Sequence, residues 1–236
     1  MAYEILYEIL LVLGGYLFGS IPFAYIVGKV AKGVDIRDYG SGNMGATNVM
    51  RSLGKKLGYI TMALDMIKGA IPVFIARLYI WFGNYSGFGT GAATEFPKYL
   101  DEGFLLTLVA FMAVVGHALP VWVKFKGGKS AAVGSGAILG ISPIAWLFIM
   151  VMWIVLLKFI KIMSLSNLIL SLIAPLIYWI FAGNDWFFNG SLWALIVASI
   201  MVVFIFWRHK ANIKRLLTGT ERKIGEKGVK IEPESG

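Results

Sequence analysis

The chain has 236 residues, of which 58% are hydrophobic and only 15% charged, with a formal net charge of +9 and a mean hydropathy of +0.75. Ordinary soluble domains carry about a quarter charged residues, so this composition excludes a water-soluble globule and points to a polytopic membrane protein. The lack of cysteine excludes disulfides, thiolate catalysis and cysteine-ligated metals, and two histidines without a carboxylate cluster make no metal site.

Apolar runs long enough to cross a hydrocarbon layer of about 30 Å as helices predict spans near 5–28, 58–82, 102–119, 129–141, 143–160, 164–182 and 190–207. The fourth is short, and the Ser142-Pro143 pair is read as the breaker that separates it from the fifth. The acidic start, with Glu4 and Glu8 and no basic residue before Lys29, lacks the cationic head of a cleavable leader, so the first span is expected to stay. Seven spans with the N-terminus outside and the C-terminus cytoplasmic put all of the 22 basic residues except Arg77 and Lys98 on the inner side. Joining 130–157 into one kinked helix would give six spans and turn the basic C-terminal region outward, against the positive-inside rule. The expected class is therefore an all-α membrane protein forming one domain over 1–236, with a polar tail at 219–236.

Three polar segments then share the inner face. In the first, DIRDYGSGNMGATNVMRSLGKKLG at 35–58, Gly40, Gly42 and Gly45 permit a backbone nest for an anion around Ser41, and Asn43 is placed to cap a helix. On that helix Asn43, Thr47, Asn48, Arg51 and Lys55 share one face and Ala46, Val49, Met50 and Leu53 another, which predicts an interfacial helix in the first cytoplasmic loop. A surface helix that merely touches anionic headgroups is the plain alternative. In the second, GHALPVWVKFKGGKS at 116–130, Gly127 and Gly128 let the backbone approach a ligand, Lys129 is expected to start the fourth helix, and a phosphate suits that N-terminus. The P-loop pattern fails because Val123 stands where its first glycine belongs. His117 reads either as an interhelical histidine or as a site residue. In the third, WRHKANIKRLLTG at 207–219, His209 and Asn212 are three apart on a helix and share a face, although a basic stop-transfer cluster would look alike. Asp65 and Lys68 lie inside the second span, where unpaired charge is expensive, and are expected to pair with each other or with a neighbouring helix, the alternative being that Asp65 reaches back to orient a substrate hydroxyl or Lys129.

Taken together, GSGNMGATN at 40–48 with Arg51, GH at 116–117 with KFKGGK at 124–129, and RHKANIKRLLTGTE at 208–221 resemble the PlsY family, the bacterial acyl-phosphate-dependent glycerol-3-phosphate acyltransferases. The resemblance implies a seven-helix enzyme of the cytoplasmic membrane that moves a fatty acyl chain from acyl phosphate to the 1-hydroxyl of glycerol 3-phosphate. It carries over Ser41, Arg51, Lys129, His209 and Asn212 as the catalytic core, with Asn43, Thr47, Asn48 and His117 in support. No cofactor or metal is implied, and the expected partners are the two substrates and membrane lipids, with no nucleic acid, in a monomer. Ser130 departs from the glycine that usually follows GGK. The loop at 83–101 looks long for the family. The His-x4-Asp pattern of thioester-using glycerolipid acyltransferases is absent, since Trp122 and Lys214 stand five residues after His117 and His209. A membrane transporter of an anionic small molecule is the competing class, suggested by the intramembrane Asp65 and Lys68.

Overall fold

The computed structural model describes residues 2–85, 100–182 and 192–226, and these are helical apart from short turns. The loop expected at 83–101 and the outer connection at 183–189 lie largely outside the described residues. The first expected span is two helices, α1 (Ala2–Gly19) and α2 (Phe23–Lys32), because Pro22 has no N–H to offer at the junction. The helix expected to begin at Asn43 is α3 (Ala46–Leu53), whose N-cap is Gly45. Gly54, at φ 103°, ends it, so Lys55 opens the next helix instead of extending the cationic face. That helix, α4 (Lys55–Tyr85), has 31 residues and runs through Pro72. Asp101 caps α5 (Glu102–Ala118), its carboxylate accepting from the Phe104 N–H at 2.9 Å.

A turn at Val121–Val123 leads to α6 (Ala131–Ile141), so Lys129 precedes the fourth expected helix and does not start it. The Ser142-Pro143 break is present: the Ser142 hydroxyl accepts from the Ala145 N–H, and Pro143 opens α7 (Pro143–Ile160). After α8 (Met163–Ala182), helix α9 (Leu192–Arg208) bends by 62° at His209 into α10 (Lys210–Leu217). Among the described residues five stretches are long and apolar enough to cross a membrane, six if the bent pair counts as one span, and α6 is a further apolar helix of 11 residues.

The polarity of this bundle is inverted relative to a soluble protein. Leu13, Phe74, Val151, Leu172 and Val203 face outward, whereas Glu8, Asp65, Lys68, His117, His209 and Asn212 are buried. Helix α7 is so apolar that burial in protein is unnecessary; only 11% of its residues are buried. The chain is an integral membrane protein on these grounds. Between helices, packing rests on small residues that bring backbones together, as expected where lipid removes the hydrophobic drive for association. A side chain at Gly136 would run into the Met66 backbone of α4, and one at Gly69 into Val133 of α6. This closeness draws the N-terminal end of α6, and Lys129 with it, against α4.

Candidate active site

At the end of the bundle where α3, α5, α6 and α10 converge, one cavity of ≈ 240 Å³ is lined by Ser41, Asn43, Thr47, Asn48, Arg51, His117, Lys129, His209 and Asn212. Nine positions from three separated segments thus meet. Gly40, Gly42, Gly127 and Gly128 are not on its wall. Asn48 is buried and supports the loop: its side-chain carbonyl accepts from the Ser41 N–H at 2.9 Å, and its amide donates to Ile36 O and Tyr39 O. The Gly42 N–H donates to Tyr39 O. The N–H groups of Ser41 and Gly42 are therefore engaged within the loop, and the expected anion nest is a braced turn that presents the Ser41 side chain. Gly40 and Gly42, at φ 62° and 67°, make that turn possible.

Gly127 and Gly128 are needed for a different close approach from the one expected. A Cβ on Gly128 would strike the His117 ring, and the Gly128 N–H donates to His117 O at 3.0 Å. Arg208, from the end of α9, donates to the carbonyls of Gly127 and Gly128 at 3.0 to 3.2 Å. The glycines thus let the turn press on His117 while Arg208 holds it, and Lys129 projects into the cavity. Ser130 accommodates its departure from glycine by donating to Val114 O at 2.7 Å while adopting φ 66°.

Burial pushes the Lys129 amine down to about 8; Glu221 opposes this shift, and Arg215, Arg51 and Arg208 reinforce it. Burial likewise pushes His209 down to about 4, so its ring is neutral near pH 7. His209 Nδ1 lies 2.9 Å from Ile205 O, and a carbonyl only accepts, so Nδ1 carries the proton and Nε2 keeps its lone pair.

Arg215, Glu221 and Ser164 belong to this site and were not among the expected residues. Glu221 returns from beyond α10 to receive Ser164 Oγ at 2.8 Å, Asn212 Nδ2 at 2.6 Å and Arg215 Nε at 2.6 Å. Burial pushes its carboxyl up, but these three donors outweigh burial and hold it below the ordinary value. Arg51 spans to the same segment, donating to Arg222 O at 3.2 Å. The readable signals were the i, i+3 spacing of Asn212 and Arg215 and the Gly219 turn that folds Glu221 back toward them. Asp65, also on the cavity wall, pairs with Lys68 at 2.9 Å and lies 3.6 Å from His117 Nδ1. Lys68 in turn donates at 2.6 Å to Ile21 O, at the break between α1 and α2.

A family model described as glycerol-3-phosphate acyltransferase matches residues 9–219. The chain belongs to the glycerol-3-phosphate acyltransferase family. A glycerol-3-phosphate acyltransferase of Rhodopseudomonas palustris (strain BisB5) is 40% identical over 213 residues, covering 90% of this chain and 94% of the relative. One of Bacillus subtilis (strain 168) is 36% identical over 215 residues, 91% and 96% of the two chains. Among solved structures, PlsY (YgiH), an integral membrane glycerol 3-phosphate acyltransferase, superposes in its glycerol 3-phosphate form with a TM-score of 0.74 at 36% identity, covering 92% of this chain and 96% of that one. Its lysophosphatidic acid form gives 0.71 at 33% identity, covering 92% and 95%. The family match covers the cavity residues from Ser41 to Arg215 and stops before Glu221.

Proposed function

We propose that this enzyme transfers a fatty acyl group from acyl phosphate to the 1-hydroxyl of glycerol 3-phosphate, giving lysophosphatidic acid and phosphate, the first step of phospholipid synthesis. The observation that carries this reading is the union, in one cavity, of a cationic end holding Lys129, Arg51 and Arg215 with an apolar trench between the helices. Two phosphorylated substrates need the first, and an acyl tail needs the second. The gathering of polar groups at one end, not at mid-depth between repeated halves, favours an enzyme over a transporter.

In this reading Lys129 and the Ser41 hydroxyl hold the acyl phosphate, and Arg51, His209 and Asn212 hold glycerol 3-phosphate. The glycerol oxygen attacks the acyl carbon, the bond from that carbon to the bridging oxygen breaks, and phosphate leaves with the electron pair. His209 Nε2 aligns the hydroxyl by accepting its hydrogen bond. Expelled from the acyl phosphate dianion, the departing phosphate is fully deprotonated and a far stronger base than a His209 ring at about 4, so it takes the hydroxyl proton and leaves as hydrogen phosphate. Lys129 neutralises the charge that builds on the leaving group. Seven spans, a C-terminus on the cytoplasmic face of the bacterial inner membrane, an interfacial α3, a single domain and a monomer complete the proposal; an inward-facing site suits a water-soluble acceptor meeting a lipid donor.

Purified protein in detergent with glycerol 3-phosphate should release phosphate and lysophosphatidic acid from acyl phosphate and not from acyl-CoA. Turnover with acyl-CoA alone would overturn the donor assignment, and no turnover with either would overturn the reading. Because Lys129 must be charged to bind, kcat/KM for acyl phosphate should fall as pH rises through about 8. Bound phosphate raises the affinity of the amine for its proton, so the matching fall in kcat should lie at higher pH.

A further inference from the structure

Beyond its charged end the cavity continues between the helices, where Ala110, Gly134, Ala137 and Ala174 wall it with side chains small enough to leave room for a chain. Pro175, which interrupts the hydrogen-bond ladder of α8, also lies on this wall. About one helical turn further from the charged end, the wall is made of larger buried groups: Thr107, Ile141 and Tyr178 line it with only 2%, 6% and 8% exposure. Tyr178 is set in the main core cluster with Ile141, Leu105 and Leu106, so its ring is held by close packing. Ser164, at the charged end, and Tyr178 are on the same helix, about 21 Å apart at about 1.5 Å per residue.

We infer that Tyr178, together with Thr107 and Ile141, is the stop that sets the longest acyl chain this enzyme uses efficiently. The inference rests on the proposed function, in which the acyl carbonyl lies by Lys129 and the tail runs along the trench. Up to the stop, each added methylene leaves water or lipid for a fitted wall. Past it, a further methylene must displace side chains packed to crystal-like density. Tyr178 and its neighbours touch no reacting atom, so they act on chain length and not on the transfer step.

The test is kcat/KM for dodecanoyl, palmitoyl, stearoyl and arachidoyl phosphate with the wild type, Tyr178→Ala and Ala174→Phe. The wild type should show a drop at one step of this series. Tyr178→Ala should move the drop toward longer chains, raising the preference for the longest donor over palmitoyl by about tenfold. Ala174→Phe, which fills the trench before its end, should move it toward shorter chains. KM for glycerol 3-phosphate should stay unchanged in both. Profiles that coincide with the wild type in both variants would overturn the stop while leaving the acyltransferase reading intact. If Tyr178→Ala misfolds, Ala174→Phe alone decides, an unmoved profile counting against the inference. Failure of the wild type to use any acyl phosphate would overturn the function and the stop together.

Discussion

Lys129→Ala should lower kcat/KM for acyl phosphate by roughly two to three orders of magnitude while leaving a folded, extractable protein. The amine lies where the three polar segments meet, in a cavity where burial already works against its charge. A buried cation of this kind gains most when an anion arrives, because the dianion relieves the penalty that the empty site imposes. Its removal deletes charge stabilisation on the leaving phosphate but leaves the surrounding turn intact, since Gly127 and Gly128 are held by Arg208 and by His117. Lys129→Arg separates charge from shape: it should retain part of the activity and lose the alkaline fall near pH 8, because a guanidinium stays protonated there. Steady-state kinetics across pH read both variants, and a near-normal rate for Lys129→Ala would place the phosphate elsewhere. Arg51 is a less clean probe. It also anchors the returning tail through Arg222 O and Lys223 O, so its replacement loosens the segment that carries Glu221.

Asp65→Ala should destabilise the fold by about 3–5 kcal/mol, because it strands the Lys68 ammonium in a buried site without its counter-ion. Adding Lys68→Met to that variant should recover most of the loss by removing the uncompensated charge. Recovery should be incomplete, since Ile21 O at the α1–α2 junction keeps the Phe23 N–H but loses the Lys68 donor at 2.6 Å, a shortfall of about 0.5–1.5 kcal/mol. Thermal unfolding of the detergent-solubilised single and double variants measures both differences. A single Asp65→Ala variant as stable as the wild type would show that Lys68 does not depend on this carboxylate.

Hydropathy runs revealed the apolar helices because a lipid-facing helix needs its apolar residues regardless of what packs beside it, as α7 illustrates. Ser142-Pro143 was readable for the same local reason: a hydroxyl cap followed by a residue without an N–H ends one helix and begins another. Less legible was the break at Pro22, because the apolar run continues across it and the carbonyl before it is shared by the Phe23 N–H and by Lys68, which is remote in sequence. The amphipathic pattern after Asn43 led to a helix that is too long, because Gly54 ends it where the side-chain pattern continues.

The amino-acid sequence by itself determined that this chain is a membrane-embedded helical protein, and it singled out Ser41, Arg51, Lys129, His209 and Asn212 as candidate site residues. These facts follow from composition and from short strings whose chemistry is local. Only the tertiary structure decided which neighbours spend which hydrogen bonds. It gave Asn48 and the paired glycines bracing contacts, brought Glu221 back onto Asn212 and Arg215, and placed Tyr178 on the wall of the cavity that Lys129 lines. The reason is physical: a buried donor, acceptor or methyl must find a partner, and that partner is chosen by how helices far apart in the chain pack, a choice no local pattern contains.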